Sequence, residues 1–151
     1  MKDAVFDTNI YLQATLSDKG AAFACWQLVE NGETRVFITQ EILAEIEDVL
    51  SRPKLREKYS VLTDEKIIEV LQSIRAHAVV IENINQIYNL ERHPDDEIFI
   101  NLALTCQTEF LVSRDKDLLD LRKDEFFKIN FPQLRIVNPA EFLEIFREET
   151  K

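Results

Sequence analysis

The sequence predicts an α/β domain of three layers, α/β/α, with a central, mainly parallel sheet of about five strands. Three observations carry this. The apolar runs are short and continuous rather than alternating, as in strands buried on both faces. Segments of helical period separate them. The 151 residues include only 2 Gly and 4 Pro and are 46 % hydrophobic, which leaves little room for linkers or disorder. That length suits a single domain spanning residues 1–151.

The elements follow in order. Ala4-Val5-Phe6 is a first strand, ended by Asp7-Thr8-Asn9. Lys19 to Glu30 reads as a helix, with Ala22, Phe23, Trp26 and Leu28 or Val29 inward, stopped by Asn31-Gly32. Arg35 to Ile38 is a second strand. Thr39 caps a helix over Gln40 to Ser51, which Pro53 closes. Thr63-Asp64-Glu65 opens another, with Ile67, Ile68, Val70, Leu71 and Ile74 as a wide apolar stripe. Ala78 to Ile81 is a third strand, and an almost wholly apolar helix runs from His93-Pro94 to Cys106. Phe110 to Val112 and Leu134 to Val137 complete the sheet, with a short helix around Leu118 to Leu121 between them. Asn138-Pro139-Ala140-Glu141 is a capping-box start for a last helix bearing Phe142, Leu143, Ile145 and Phe146.

Charge and cysteines narrow the function classes. There are 18 Lys and Arg against 28 Asp and Glu, a formal charge of −10. Such a chain is a poor general binder of nucleic acid, because phosphate contacts need cations. Cys25 and Cys106, in apolar helical surroundings, read as buried, reduced thiols. With no signal-peptide core at the N-terminus and no apolar run of membrane-spanning length, the expectation is a cytoplasmic protein that does not engage membranes.

Acids stand where strands end or helices begin: Asp7, Glu45, the Asp95-Asp96 pair and Asp115. In an open parallel sheet these positions share the carboxyl edge, where ligands bind. Converging carboxylates repel unless a cation joins them, and hard oxygen ligands select Mg²⁺ or Mn²⁺ over zinc. Glu45 lies about 40° from Val49 around its helix, at the edge of the buried arc, so it needs a partner. Asp7 also suits a turn, and Asp95-Asp96 suits a helix start. Of Asp115 and Asp117, one caps the following helix and the other is free for chemistry. No Gly-rich phosphate loop, zinc spacing or serine-histidine motif competes.

At these residues the chain resembles PIN-domain ribonucleases, and more narrowly the toxins of toxin–antitoxin systems. The matching stretches, in family order, are Val5-Phe6-Asp7-Thr8-Asn9, Ile42 to Ile46 continuing through Val49 to Leu55, His93-Pro94-Asp95-Asp96 with Phe99 to Ala103, Leu111 to Leu119, and Ile136 to Leu143. The resemblance implies metal-dependent cleavage of RNA at Asp7, Glu45, Asp96 and Asp115, with Asp117 as a further or substitute acid and Asp95 as an alternative to Asp96. Thr8 or Asn9 would orient Asp7 or a water. It also implies an antitoxin partner that blocks the site, and a homodimer. His93 departs from the usual pattern without touching the acids.

The expected reaction is hydrolysis of an RNA phosphodiester by water, with the carboxylates holding one or two Mg²⁺ or Mn²⁺ ions. Arg114 and Lys116 lie beside the acids and would help to hold RNA; Arg52 and Lys54 belong to a second basic run with Arg56 and Lys58. One rival reading is an Asp-dependent phosphotransfer domain. A haloacid-dehalogenase-like phosphatase would need a second Asp where Asn9 stands. The other rival is a catalytically silent PIN-fold module that acts through a protein partner.

Overall fold

The computed structural model describes residues 1–91 and 93–149. Five strands, β1 (Lys2–Phe6), β2 (Thr34–Ile38), β3 (Val79–Val80), β4 (Phe110–Val112) and β5 (Arg135–Val137), form one parallel sheet in the order β3-β2-β1-β4-β5. The helices among the described residues are α1 (Thr8–Leu16), α2 (Ala21–Glu30), α3 (Gln40–Leu50), α4 (Pro53–Lys58), α5 (Asp64–His77), α6 (Glu97–Cys106), α7 (Lys116–Asp120), α8 (Glu125–Asn130) and α9 (Pro139–Glu149). None of these is long and apolar enough to cross a membrane.

The strand order positions the site. The chain builds outward from β1 through β2 to β3, then returns to add β4 on the other side of β1. Right-handed crossovers in opposite directions place their helices on opposite faces. Accordingly α1 packs with α2 and α3, and α2 with α9, whereas α6 packs across β1, β2 and β4. The reversal leaves a crevice at the carboxyl ends of β1 and β4, where Ala4, Val5 and Phe6 pair with Phe110, Leu111 and Val112.

Local chemistry sets the helix starts. Thr39 Oγ1 accepts from the Ile42 N–H at 3.2 Å, and Thr63 Oγ1 from the Lys66 N–H at 3.1 Å. The expected capping box is complete. The Asn138 N–H donates to Glu141 Oε1 at 2.9 Å and the Glu141 N–H to Asn138 Oδ1 at 2.8 Å. Gly32 takes the left-handed conformation, φ 78°, that ends the α2 segment before β2.

Several expectations need correction. Residues 8–16 form α1, which the pattern did not announce; its apolar and polar residues are nearly evenly spread around the helix. Pro53 does not merely close α3 but opens α4, a position where its missing N–H costs nothing. α8 was also not foreseen. The stripe on α5 is narrower than expected: Ile67 and Ile74 are buried, whereas Ile68 is exposed. Both cysteines are free thiols, but only Cys25 is fully buried and Cys106 is half-buried.

α9 closes the core through Phe142, 1 % exposed, whose ring meets Phe110 edge-on at 5.1 Å and Phe6 at 6.3 Å between centroids. Phe142→Ala should therefore cost about 3–5 kcal/mol of stability. Urea unfolding checks this; a loss below about 1 kcal/mol would mean that α9 is not part of the cooperative core.

Candidate active site

Asp7 ends β1, and its backbone N–H still reaches across to the Val112 carbonyl at 3.1 Å. Its side chain is 4 % exposed and does two jobs. Oδ1 caps α1, accepting from the N–H groups of Asn9 at 2.8 Å and Ile10 at 3.3 Å. Oδ2 accepts the hydroxyl proton of Ser113. The turn reading and the site reading of Asp7 are thus compatible.

Ser113 is wholly buried just beyond β4, with its N–H donating to the Val137 carbonyl at 2.9 Å. Its Oγ also accepts the Asp115 N–H at 2.9 Å. One hydroxyl therefore joins the two acidic segments. The sequence reading overlooked it, although a serine ending a buried strand was a usable signal, since a buried hydroxyl needs a partner.

Asp115 is the residue that caps α7; Oδ1 accepts from Asp117 N–H at 2.8 Å and Leu118 N–H at 3.3 Å. Asp117 instead lies 2.7 Å from His93 Nε2. The departure at His93 therefore supplies a partner for Asp117. Asp96 ends a 3₁₀ turn, Pro94–Asp96, at the start of α6 and is half-buried, whereas Asp95 in the same turn is exposed.

Electrostatics show which acids come together. Burial first, and then the negative charges of Asp115, Asp7 and Asp117, push Asp96 up to about 6, with His93 acting in the opposite direction. Burial also raises Asp7, with Asp115 adding to it, against the lowering hydrogen bonds from Ser113, Asn9 and Ile10. Asp7, Asp96, Asp115 and Asp117 therefore share one field. Glu45 is exposed on α3 and is not among the groups that shift Asp7 or Asp96. The partner expected at the edge of a buried arc is not required, because Glu45 reaches solvent.

The remaining predicted residues divide. Thr8 is 6 % exposed, and its Oγ1 has no hydrogen-bond partner among the described residues; Asn9 is exposed. Arg114 and Lys116 are exposed beside Asp115, and Lys54 is exposed on α4. Arg52 is held by Asp48 at 2.9 Å.

The donor chemistry fits a hard divalent cation. All candidate ligands are oxygens, their mutual repulsion is what a cation relieves, and Thr8 Oγ1 is an orphaned buried polar atom beside them. Among the described residues, however, no three His, Cys, Asp or Glu side chains are placed so that together they could hold an ion.

A family model described as PIN domain matches residues 3–117. The chain belongs to the PIN-domain family. The match runs from β1 into α7 and so takes in Asp7, Glu45, Asp95, Asp96, Ser113, Asp115 and Asp117. The chain is also similar to uncharacterized protein MJ1680 of Methanocaldococcus jannaschii, 30 % identical over 145 residues, 95 % of this chain and 91 % of that one. PIN domains have a nuclease-type fold, are generally nucleases and typically use divalent metals.

The raised Asp96 gives this PIN domain a signature in pH. Its folded-state pKa, about 6, lies above the ordinary 3.8, so between those values the folded state holds more protons than the unfolded. Stability from this group is present at low pH and lost as pH rises through that window. In EDTA, Asp96→Asn should raise Tm at pH 7.5, and the gain should shrink toward zero near pH 4. An equal gain at both values would show that Asp96 does not carry the repulsion.

Proposed function

We propose that this PIN domain is an endoribonuclease dependent on Mg²⁺ or Mn²⁺, acting in the cytoplasm as the toxin of a toxin–antitoxin pair. The observation that supports the catalytic part is the Ser113 hydroxyl, which ties Asp7 to the Asp115 backbone at the β1/β4 crevice, where the charges of both acids also act on Asp96. The toxin assignment, an antitoxin partner that covers the acids, and a homodimer rest on the likeness in sequence.

Asp7, Asp96 and Asp115 would hold the cation, with Asp117, beside His93, as a further acid and Glu45, exposed on α3, acting through water. The bound ion supplies Lewis acidity for attack of water on the phosphodiester and neutralises charge on the phosphate. The protein does the positioning. Ser113 fixes the Oδ2 edge of Asp7, and its acceptance of the Asp115 N–H ties the second acid to the same point. A net charge of −10 is then no obstacle, since attraction for RNA is concentrated at the ion and at Arg114 and Lys116 rather than spread over the surface.

Defined RNA and DNA pools incubated with Mn²⁺, Mg²⁺ or EDTA test this. Cleavage of single-stranded RNA with either metal and none in EDTA is expected. Asp7→Asn keeps a good helix cap, so with circular dichroism unchanged it should lose at least about 100-fold in rate. Ser113→Ala should lose about 10- to 100-fold by loosening both acids. Undiminished cutting by folded Asp7→Asn would remove the assignment.

A further inference from the structure

We propose that a cavity of about 310 Å³ walled by Gln13, Tyr59 and Arg114, the residue before Asp115, holds a nucleotide that flanks the scissile phosphate and selects its base. The proposal rests on the ribonuclease reading above and adds to it the source of sequence preference.

Position is the first argument. Arg114 lies between Ser113, which holds Asp7, and Asp115, so its backbone is fixed by the acidic cluster itself. Gln13 stands on α1, whose cap is Asp7, six residues and about 9 Å further along the helix. A strand with one phosphate at the acids is within a nucleotide or two of this cavity along α1.

The lining suits a base and its phosphate. Leu16 and Ala22 give apolar surface, and the half-buried ring of Tyr59 gives a face on which any base can stack. Gln13 Oε1 is buried and has no hydrogen-bond partner among the described residues. An unpaired buried acceptor costs free energy that an incoming N–H would recover once rotation of the amide brings the oxygen to the cavity wall. Adenine, cytosine and guanine can donate to it from an exocyclic amino group and uracil from its N3–H, so the acceptor sorts bases by where on the Watson–Crick edge the donor lies.

Charge pairing supplies the third argument. Arg35, Arg52, Arg56, Arg122 and Arg135 each contact a carboxylate within 3.0 Å. Arg114 is exposed, adjoins Asp115 in sequence, and makes no ion pair among the described residues. In so acidic a chain, this leaves its guanidinium fork available to a phosphate.

The test uses the full chain and fluorescent single-stranded RNA hexamers of mixed sequence, bound in EDTA at low salt, with folding checked by circular dichroism. Tyr59→Ala should weaken binding about tenfold or more. Arg114→Gln should weaken it and reduce the slope of log K against log salt by about 0.7. Arg75→Gln, on the exposed side of α5, should bind as the parent does. With Mn²⁺ and a randomised RNA pool, Gln13→Leu should still cut but lose the parent's base preference next to the cut. Failure of the hexamers to bind, parental binding by Tyr59→Ala and Arg114→Gln, or an unchanged cut pattern in Gln13→Leu each overturns the pocket. If RNA is cut while the pocket variants behave as parent, the nuclease reading survives alone. If hexamers bind as expected and nothing is cut, the cavity is an RNA-binding site, but the nuclease reading falls and base selection at a cut falls with it.

Discussion

The hydrogen bond from the Ser113 hydroxyl to Asp7 Oδ2 spans 106 residues of sequence and joins the ends of two neighbouring strands. Everything proposed for the site depends on it. Asp7 is nearly inaccessible, and a buried carboxylate without donors would be driven to its neutral form. Ser113, Asn9 and Ile10 each supply a donor and work against that tendency. Because the same serine oxygen accepts from the Asp115 backbone, the second acid is fixed by the bond that stabilises the first. A site assembled this way is only as accurate as the β1/β4 register, which the buried pairs Ala4 with Phe110 and Phe6 with Val112 enforce.

The hydrophobic core therefore holds like charges together. Asp7, Asp96 and Asp115 each stand at a helix start, and the upward shift at Asp96 reflects both its partial burial and the charges of the other two. Such an arrangement is unfavourable for the protein alone and favourable for a protein that binds a cation, so a local loss of stability is expected at a functional site. Local basic groups complement it: His93 faces Asp117, and Arg114, one residue from Asp115, has no ion pair among the described residues.

Much of this was legible in the sequence, for identifiable reasons. Continuous apolar runs fixed the strands, and the side chains of Thr39, Thr63, Asn138 and Glu141 marked helix starts that the structure confirms bond for bond. α1 was hidden because Thr8–Leu16 mixes β-branched, polar and apolar residues without a one-sided stripe; its burial against α2 and α3 makes it a helix. α4 was hidden because Pro53 is as good a first residue as a terminator. Among the acids, spacing alone could not separate Asp115 from Asp117. What distinguishes them is a cap on one side and His93, distant in sequence, on the other. Ser113 escaped notice for the same reason, since its partner lies in another segment of the chain. Glu45 shows the converse limit: its place at the edge of an apolar arc was read correctly, yet the arc ends where solvent begins.

The central claim is that Asp7, Asp96 and Asp115 form one cation site at the carboxyl ends of β1 and β4. Titrating Mn²⁺ into isotopically labelled protein and following paramagnetic broadening of backbone amide signals tests it directly. The account predicts that the first broadening, at low Mn²⁺, is confined to the residues around Asp7, Asp96 and Asp115, and that it disappears in Asp7→Asn. Broadening that begins elsewhere, or spreads evenly over the acidic surface, would contradict it.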